Sequence, residues 1–150
     1  MLETAPLSEG PAPPWVDRLL AISALVGAVL LTVLLARVAP DPRGYDTHTA
    51  LGMTACGWPK IYGKPCPTCG VTTAACWLVH LSPWKAFVTQ PFGALAMAVV
   101  LAVGIHAIAS LARGRSFLYP IVRMPTGRVV SGTVVVFLLG WLWKSETFVP

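Results

Sequence analysis

Three long apolar runs, separated by stretches rich in proline, glycine and charge, set the pattern of this chain. The first, residues 19–36, carries no charge and lies between Arg18 and Arg37. At about 1.5 Å per residue, such a helix nearly crosses a hydrocarbon core of about 30 Å, and Trp15 suits the lipid–water interface. The second run, residues 92–112, follows Gln90-Pro91. Proline fits a first helical turn, where its missing N–H costs nothing. The third, residues 129–143, is short for a full crossing, but Lys144 can snorkel, Phe148 can extend it, and Trp141 and Trp143 resemble an interfacial belt. Spans are therefore predicted over about 17–38, 91–112 and 128–146. A cleaved signal peptide is the rival reading of the first run. Its leader should be basic, whereas Glu3, Glu9 and Asp17 oppose a single Arg18, and no clean small-x-small site precedes Pro40. An uncleaved anchor is the stronger expectation.

The chain between the first two spans is patterned as well. Pro40-Asp41-Pro42-Arg43-Gly44 breaks the first helix. Residues 52–63, with their Gly, Trp, Pro and Tyr, read as an ordered loop, and residues 71–81 as a short helix of about three turns. Ser82 is expected to cap a second short helix, with Pro83 at its first position. Neither piece can span alone, so the pair is expected to lie in the interface or to dip in and return. The fold class predicted is all-α: a small helical integral membrane protein with about three transmembrane helices plus short interfacial or re-entrant helices. A flexible tail over 1–14, which holds four prolines, is expected to precede one membrane domain over 15–150.

Composition agrees with this reading. Of 150 residues, 55% are hydrophobic and 11% charged, against roughly 25% charged in a soluble domain. The net charge of +5 forms no dense basic patch, which argues against a nucleic-acid partner and for the basic bias that flanks membrane spans. Arg113, Arg115, Arg123 and Arg128 lie between spans two and three with no acidic residue among them, so that loop is expected to be cytoplasmic. The N-terminus then faces the cytoplasm and the loop before span two the exterior. Arg43, Lys60, Lys64 and Lys85 pull the other way, diluted over a longer segment.

All four cysteines, Cys56, Cys66, Cys69 and Cys76, fall within that loop and its short helix. If the helix reaches back to Cys69, then Cys76 and His80 each lie within about 20° of Cys69 on one face. A helix N-terminus would make Cys69 the more thiolate-like of the Cys-x-x-Cys pair. Three sulfurs and one imidazole would form a tetrahedral zinc set. Beside that stand two other readings: a structural Cys66–Cys69 or Cys56–Cys66 disulfide on an oxidising face, and thiol–disulfide exchange through Cys66 and Cys69. Cys76 alone reads as a small apolar residue and His80 alone as an interfacial hydrogen-bonding one. In the second span, His106 continues a four-residue stripe of Ala94, Ala98, Ala102 and Ser110. Small residues let helices approach closely, within the chain or with another membrane protein, and His106 is expected to hydrogen-bond a neighbouring helix rather than relay protons. No carboxylate pair, phosphate loop or nucleophile elbow is present.

Cys66-Pro67-x-Cys69-Gly70-x-Thr72, followed by Leu78, His80, Ala86 and Pro91 before an apolar helix, resembles an uncharacterised bacterial membrane family, the domain of unknown function 2752. The resemblance covers roughly residues 50–111 and includes a cysteine ten residues upstream of the pair. Many members carry Arg at the position of Thr73, Gly at that of Leu81 and Asn at that of Gln90. The resemblance implies a bacterial inner-membrane location and no reaction. Two functional classes follow. One is a structural, binding or accessory membrane subunit with an ordered extracytoplasmic cysteine loop. The other is a thiol-redox or metal-binding membrane protein, although a quinone-linked enzyme of that plan would need a four-helix bundle.

Overall fold

The structure, a computed structural model, describes residues 5–148. Seven α-helices are found among them: α1 Pro14–Ala36, α2 Trp58–Tyr62, α3 Val71–Val79, α4 Pro83–Thr89, α5 Pro91–Arg113, α6 Leu118–Val122 and α7 Thr126–Thr147. Among the described residues the one strand-like feature is an isolated antiparallel bridge between Pro6 and Arg115. The all-α expectation holds, and α1, α5 and α7 are long and apolar enough to cross a membrane. The third helix is longer than its apolar run. Its 22 residues give about 33 Å of helix, because Thr126, Gly127 and Arg128 begin it and Lys144 to Thr147 finish it.

The chain divides into two compact units, Met1–Leu31 with Val99–Val129, and Thr32–Ala98 with Val130–Pro150. In the first, Ala21, Ala107 and Phe117 form a small core, with Ala24, Leu25, Val103 and Leu118 around it. Gly104 of α5 admits Ala28 of α1 so closely that an added Cβ would lie 3.0 Å from the Ala28 Cβ. Close backbone approach, rather than large side chains, joins these helix segments. Asp17 is 1% exposed. Its carboxylate accepts hydrogen bonds from Ser116 Oγ at 2.8 Å, Phe117 N at 2.8 Å and Leu118 N at 3.0 Å. Those backbone groups belong to the start of α6, which its own turn cannot satisfy. The predicted tail is described only from Ala5, since residues 1–4 lie outside the described residues. Ala5 O accepts from Ser116 N at 3.1 Å.

The predicted stripe on α5 is only partly its buried face. Ala94 and Ser110 are buried, but Ala98 and Ala102 are exposed, and Met97, Gly104 and Ala107 are buried instead. His106 Nε2 lies 3.1 Å from Phe117 O, which can only accept, so that nitrogen carries the proton. The rings of His106 and Phe117 stack at 5.3 Å. The partner is the segment before α6 rather than a neighbouring transmembrane helix.

In the second unit, α3 and α4 take up the two short helices expected of residues 71–89. Pro83 occupies the first turn of α4. Ser82 is the capping residue by position only: its hydroxyl lies 3.4 Å from His80 O and caps nothing. Gln90 does cap. Its Oε1 accepts from Gly93 N at 2.7 Å, the third residue of α5, as an Asn or Asp would. Between α3 and α4 the chain turns through Leu81 at φ +56°, a left-handed conformation that favours glycine. Leu81 is 89% exposed, so its side chain gives little packing in return. Leu81→Gly is therefore expected to stabilise the protein by about 1 kcal/mol, read as a raised thermal midpoint in detergent. A lowered midpoint would mean that glycine's extra freedom in the unfolded chain outweighs the relieved strain.

Candidate functional site

The cysteine loop is built from backbone carbonyls held by the C-terminal part of α7. Trp141 Nε1 donates to Pro65 O at 3.3 Å, Trp143 Nε1 to Val88 O at 2.7 Å, and Lys144 Nζ to Gly44 O at 3.0 Å. Lys144, expected to snorkel, is 4% exposed and turned into the loop. Gly44 O in turn sits against Gly70, where a Cβ would lie 2.7 Å from that oxygen. Gly70 also takes φ +86° as the residue preceding α3. No other residue type satisfies both demands at that position.

Residues 66–69 form a tight turn, closed by Cys69 N donating to Cys66 O at 3.0 Å. The turn borders an open cavity of about 520 Å³. Cys56, Cys66 and Cys69 line it, with Asp46, His48 and Thr68. Asp46 Oδ1 accepts from Cys56 N at 3.4 Å, and His48 Nε2 sits 3.1 Å from Thr54 O. Thr73, at the wall, is fully buried and shares a 2.8 Å hydroxyl–hydroxyl hydrogen bond with Thr47. A small neutral pair thus fills the place where the family resemblance implied an arginine.

The thiols in this cavity are not equivalent. Burial alone would raise Cys66, but the Thr68 hydroxyl at 3.5 Å, the Cys56 thiol, the Thr68 backbone and the Cys69 thiol all favour its anion and hold it below the ordinary cysteine range. Cys56 is raised, by burial first and by its Cys66 neighbour. Burial, then the neighbouring sulfurs of Cys66 and Cys56, push Cys69 up to about 12. The expectation that Cys69 is the thiolate is therefore reversed. Helix α3 starts at Val71, two residues after Cys69, so that sulfur meets the burial of the loop floor before any benefit from the helix end.

Cys76 and His80 stand apart from the cavity. Cys76 is buried in α3 with its Sγ 3.8 Å from Leu35 O, and burial raises its thiol. His80 ends α3, with Nδ1 2.9 Å from Cys76 O. The set of three sulfurs and His80 considered for zinc is thus not assembled. Among the described residues no group of three or more His, Cys, Asp or Glu is placed to hold a metal ion. Sequence reasoning found Cys56, Cys66 and Cys69 but missed Asp46, His48, Thr68 and Lys144. Only the Thr in Cys-Pro-Thr-Cys carried a signal, being close enough along the chain to reach the first sulfur.

Residues 56–104 match the family described as Protein of unknown function (DUF2752). The match takes in α2, α3, α4, the three cavity cysteines and the first half of α5. No curated protein and no solved structure matches the chain.

Proposed function

We propose that a membrane protein of this resemblance uses the cavity for thiol–disulfide exchange, with Cys66 as the attacking sulfur. One observation carries the reading: Cys66, the half-buried and most acidic thiol, shares one open cavity with two further thiols, either of which can resolve it. The Cys66 thiolate attacks a disulfide of the partner, forms a mixed disulfide and releases one partner thiolate. The thiolate of Cys69 or Cys56 then attacks the Cys66 sulfur, giving an internal disulfide and the second partner thiolate. The partner gains two electrons and this chain loses two; the reverse sequence reduces the chain. An extracytoplasmic, disulfide-permissive face suits this chemistry, with the arginines at 113, 115, 123 and 128 retained on the cytoplasmic side of a bacterial inner membrane.

The test is a thiol count. Protein purified without reductant and treated with oxidised glutathione is trapped with maleimide and weighed. The expected product has one internal disulfide that contains Cys66, reopened by dithiothreitol. Four free thiols after the same treatment would remove the exchange reading. An accessory-subunit reading stands second, favoured by Ala98 and Ala102, which leave a small-residue face of α5 open to another membrane helix.

A further inference from the structure

Beneath the cavity lies an excess of buried hydrogen-bond donors. Lys144 is 4% exposed, yet its ammonium meets one carbonyl, Gly44 O, and the face of Phe148 at 6.0 Å. Among the described residues the ion pairs are Arg43–Asp41 and His48–Asp46, so no carboxylate is paired with Lys144. Gln90 is fully buried, and its Nε2 has no hydrogen-bond partner. Both side chains converge on Gly70, where a Cβ would meet Gly44 O at 2.7 Å, Lys144 Cε at 3.4 Å and Gln90 Cβ at 3.5 Å. The residue joined to Gly70 is Cys69, whose sulfur feels the Lys144 charge. A buried cation without a counter-ion is costly, and so is an orphaned buried donor. The cost at Lys144 falls when a negative charge arrives beside it.

We propose that Lys144 is a positioning residue for the exchange reaction, the built-in counter-ion that receives the Cys69 thiolate when a Cys66–Cys69 disulfide opens. The inference rests on the exchange reading and deepens it. An incoming thiolate attacks the Cys66 sulfur; its sulfur bonds to Cys66, the Cys66–Cys69 bond breaks, and the electron pair leaves on Cys69 Sγ. That anion forms in the loop floor, where burial opposes it, and the Lys144 charge offsets part of that cost. The ammonium of Lys144 supplies the charge that water supplies to an exposed thiolate. The charged and titratable groups around Cys69 are Cys66 and Cys56 in the loop, Asp46 and His48 in the cavity lining and Lys144 from α7, and of these Lys144 is the cation that acts on its sulfur.

The full chain with Cys69 as its sole cysteine (Cys56→Ser, Cys66→Ser, Cys76→Ser) provides the test. The rate of its reaction with methyl methanethiosulfonate, a small uncharged reagent, is followed against pH. Lys144→Met should slow the reaction about tenfold at any fixed pH below the titration midpoint, equivalent to about one pH unit of displacement. Lys144→Gln, which keeps a donor but no charge, should behave like Lys144→Met, and Lys144→Arg should restore the parent rate. Equal rates in the parent and Lys144→Met would overturn the proposal. So would Lys144→Arg as slow as Lys144→Met with helix content intact, since the role would then be packing. This series needs no partner disulfide. If the thiol count fails while the series succeeds, the pairing stands and the exchange reading falls.

Discussion

Cys66→Ser should abolish disulfide formation in the cavity and remove the fast-reacting thiol at neutral pH. An ordinary cysteine, with a pKa of about 8.5, is only about 3% thiolate at pH 7. Its neighbours hold Cys66 below the ordinary cysteine value, whereas Cys56 and Cys69 are both raised, Cys69 to about 12. A thiol reacts as its anion, so modification of Cys66 should climb at lower pH than that of the other cavity thiols. In Cys66→Ser the total rate at pH 7 should drop about tenfold or more, and its midpoint should move upward. Cys69→Ser, by contrast, should leave the rapid phase in place and block closure to the Cys66–Cys69 disulfide. A fast phase that survives Cys66→Ser would place the reactive sulfur elsewhere.

The second large effect is expected far from any sulfur. Asp17→Ala should cost about 3 kcal/mol of stability, seen as a lower thermal midpoint in detergent. The mutation leaves Phe117 N and Leu118 N without their acceptor and strips Ser116 Oγ of its own. Buried donors left unpaired carry the full cost of lost hydration, which exceeds the modest net value of a satisfied bond. Asp17→Asn is a sharper probe, because one of its amide faces would direct hydrogens at a backbone N–H that needs an acceptor. It should fall between the parent and Asp17→Ala. A midpoint unchanged in Asp17→Ala would show that water satisfies the turn once the carboxylate is gone.

The two sites also mark where reading the sequence succeeds and where it stops. Apolar runs, proline at helix starts and the break at Pro40 to Gly44 are local signals, and they place α1, α3, α4, α5 and α7 close to where they form. The grouping of Cys56, Cys66 and Cys69 was equally legible, since they sit in one loop. In the sequence Asp17 counts only as a charge against a leader peptide, yet it serves a turn 100 residues away. The place of Lys144 at a helix end predicts snorkelling, yet it reaches a carbonyl 100 residues earlier. No periodicity reports such pairings, because packing alone decides them. The expected acidity of Cys69 failed for a related reason: the helix start fell two residues later than the argument required, and burial of the loop floor dominated. Leu81 and Gln90 show how an unusual residue can be absorbed. Gln90 performs the cap that a shorter amide would, whereas Leu81 holds a glycine-like turn at a cost.

The three donors from Trp141, Trp143 and Lys144 have a consequence for biogenesis. They hold Pro65, Val88 and Gly44, three separated points of the cysteine loop, and all three come from a helix synthesised well after that loop. Until α7 is made and inserted, the loop lacks these anchors, and its thiols stand less shielded than in the finished protein. The selectivity among sulfurs is then acquired only once α7 is in place. A chain halted before Trp141 would present four cysteines with little to rank them, open to mispairing with each other or with a neighbouring nascent chain.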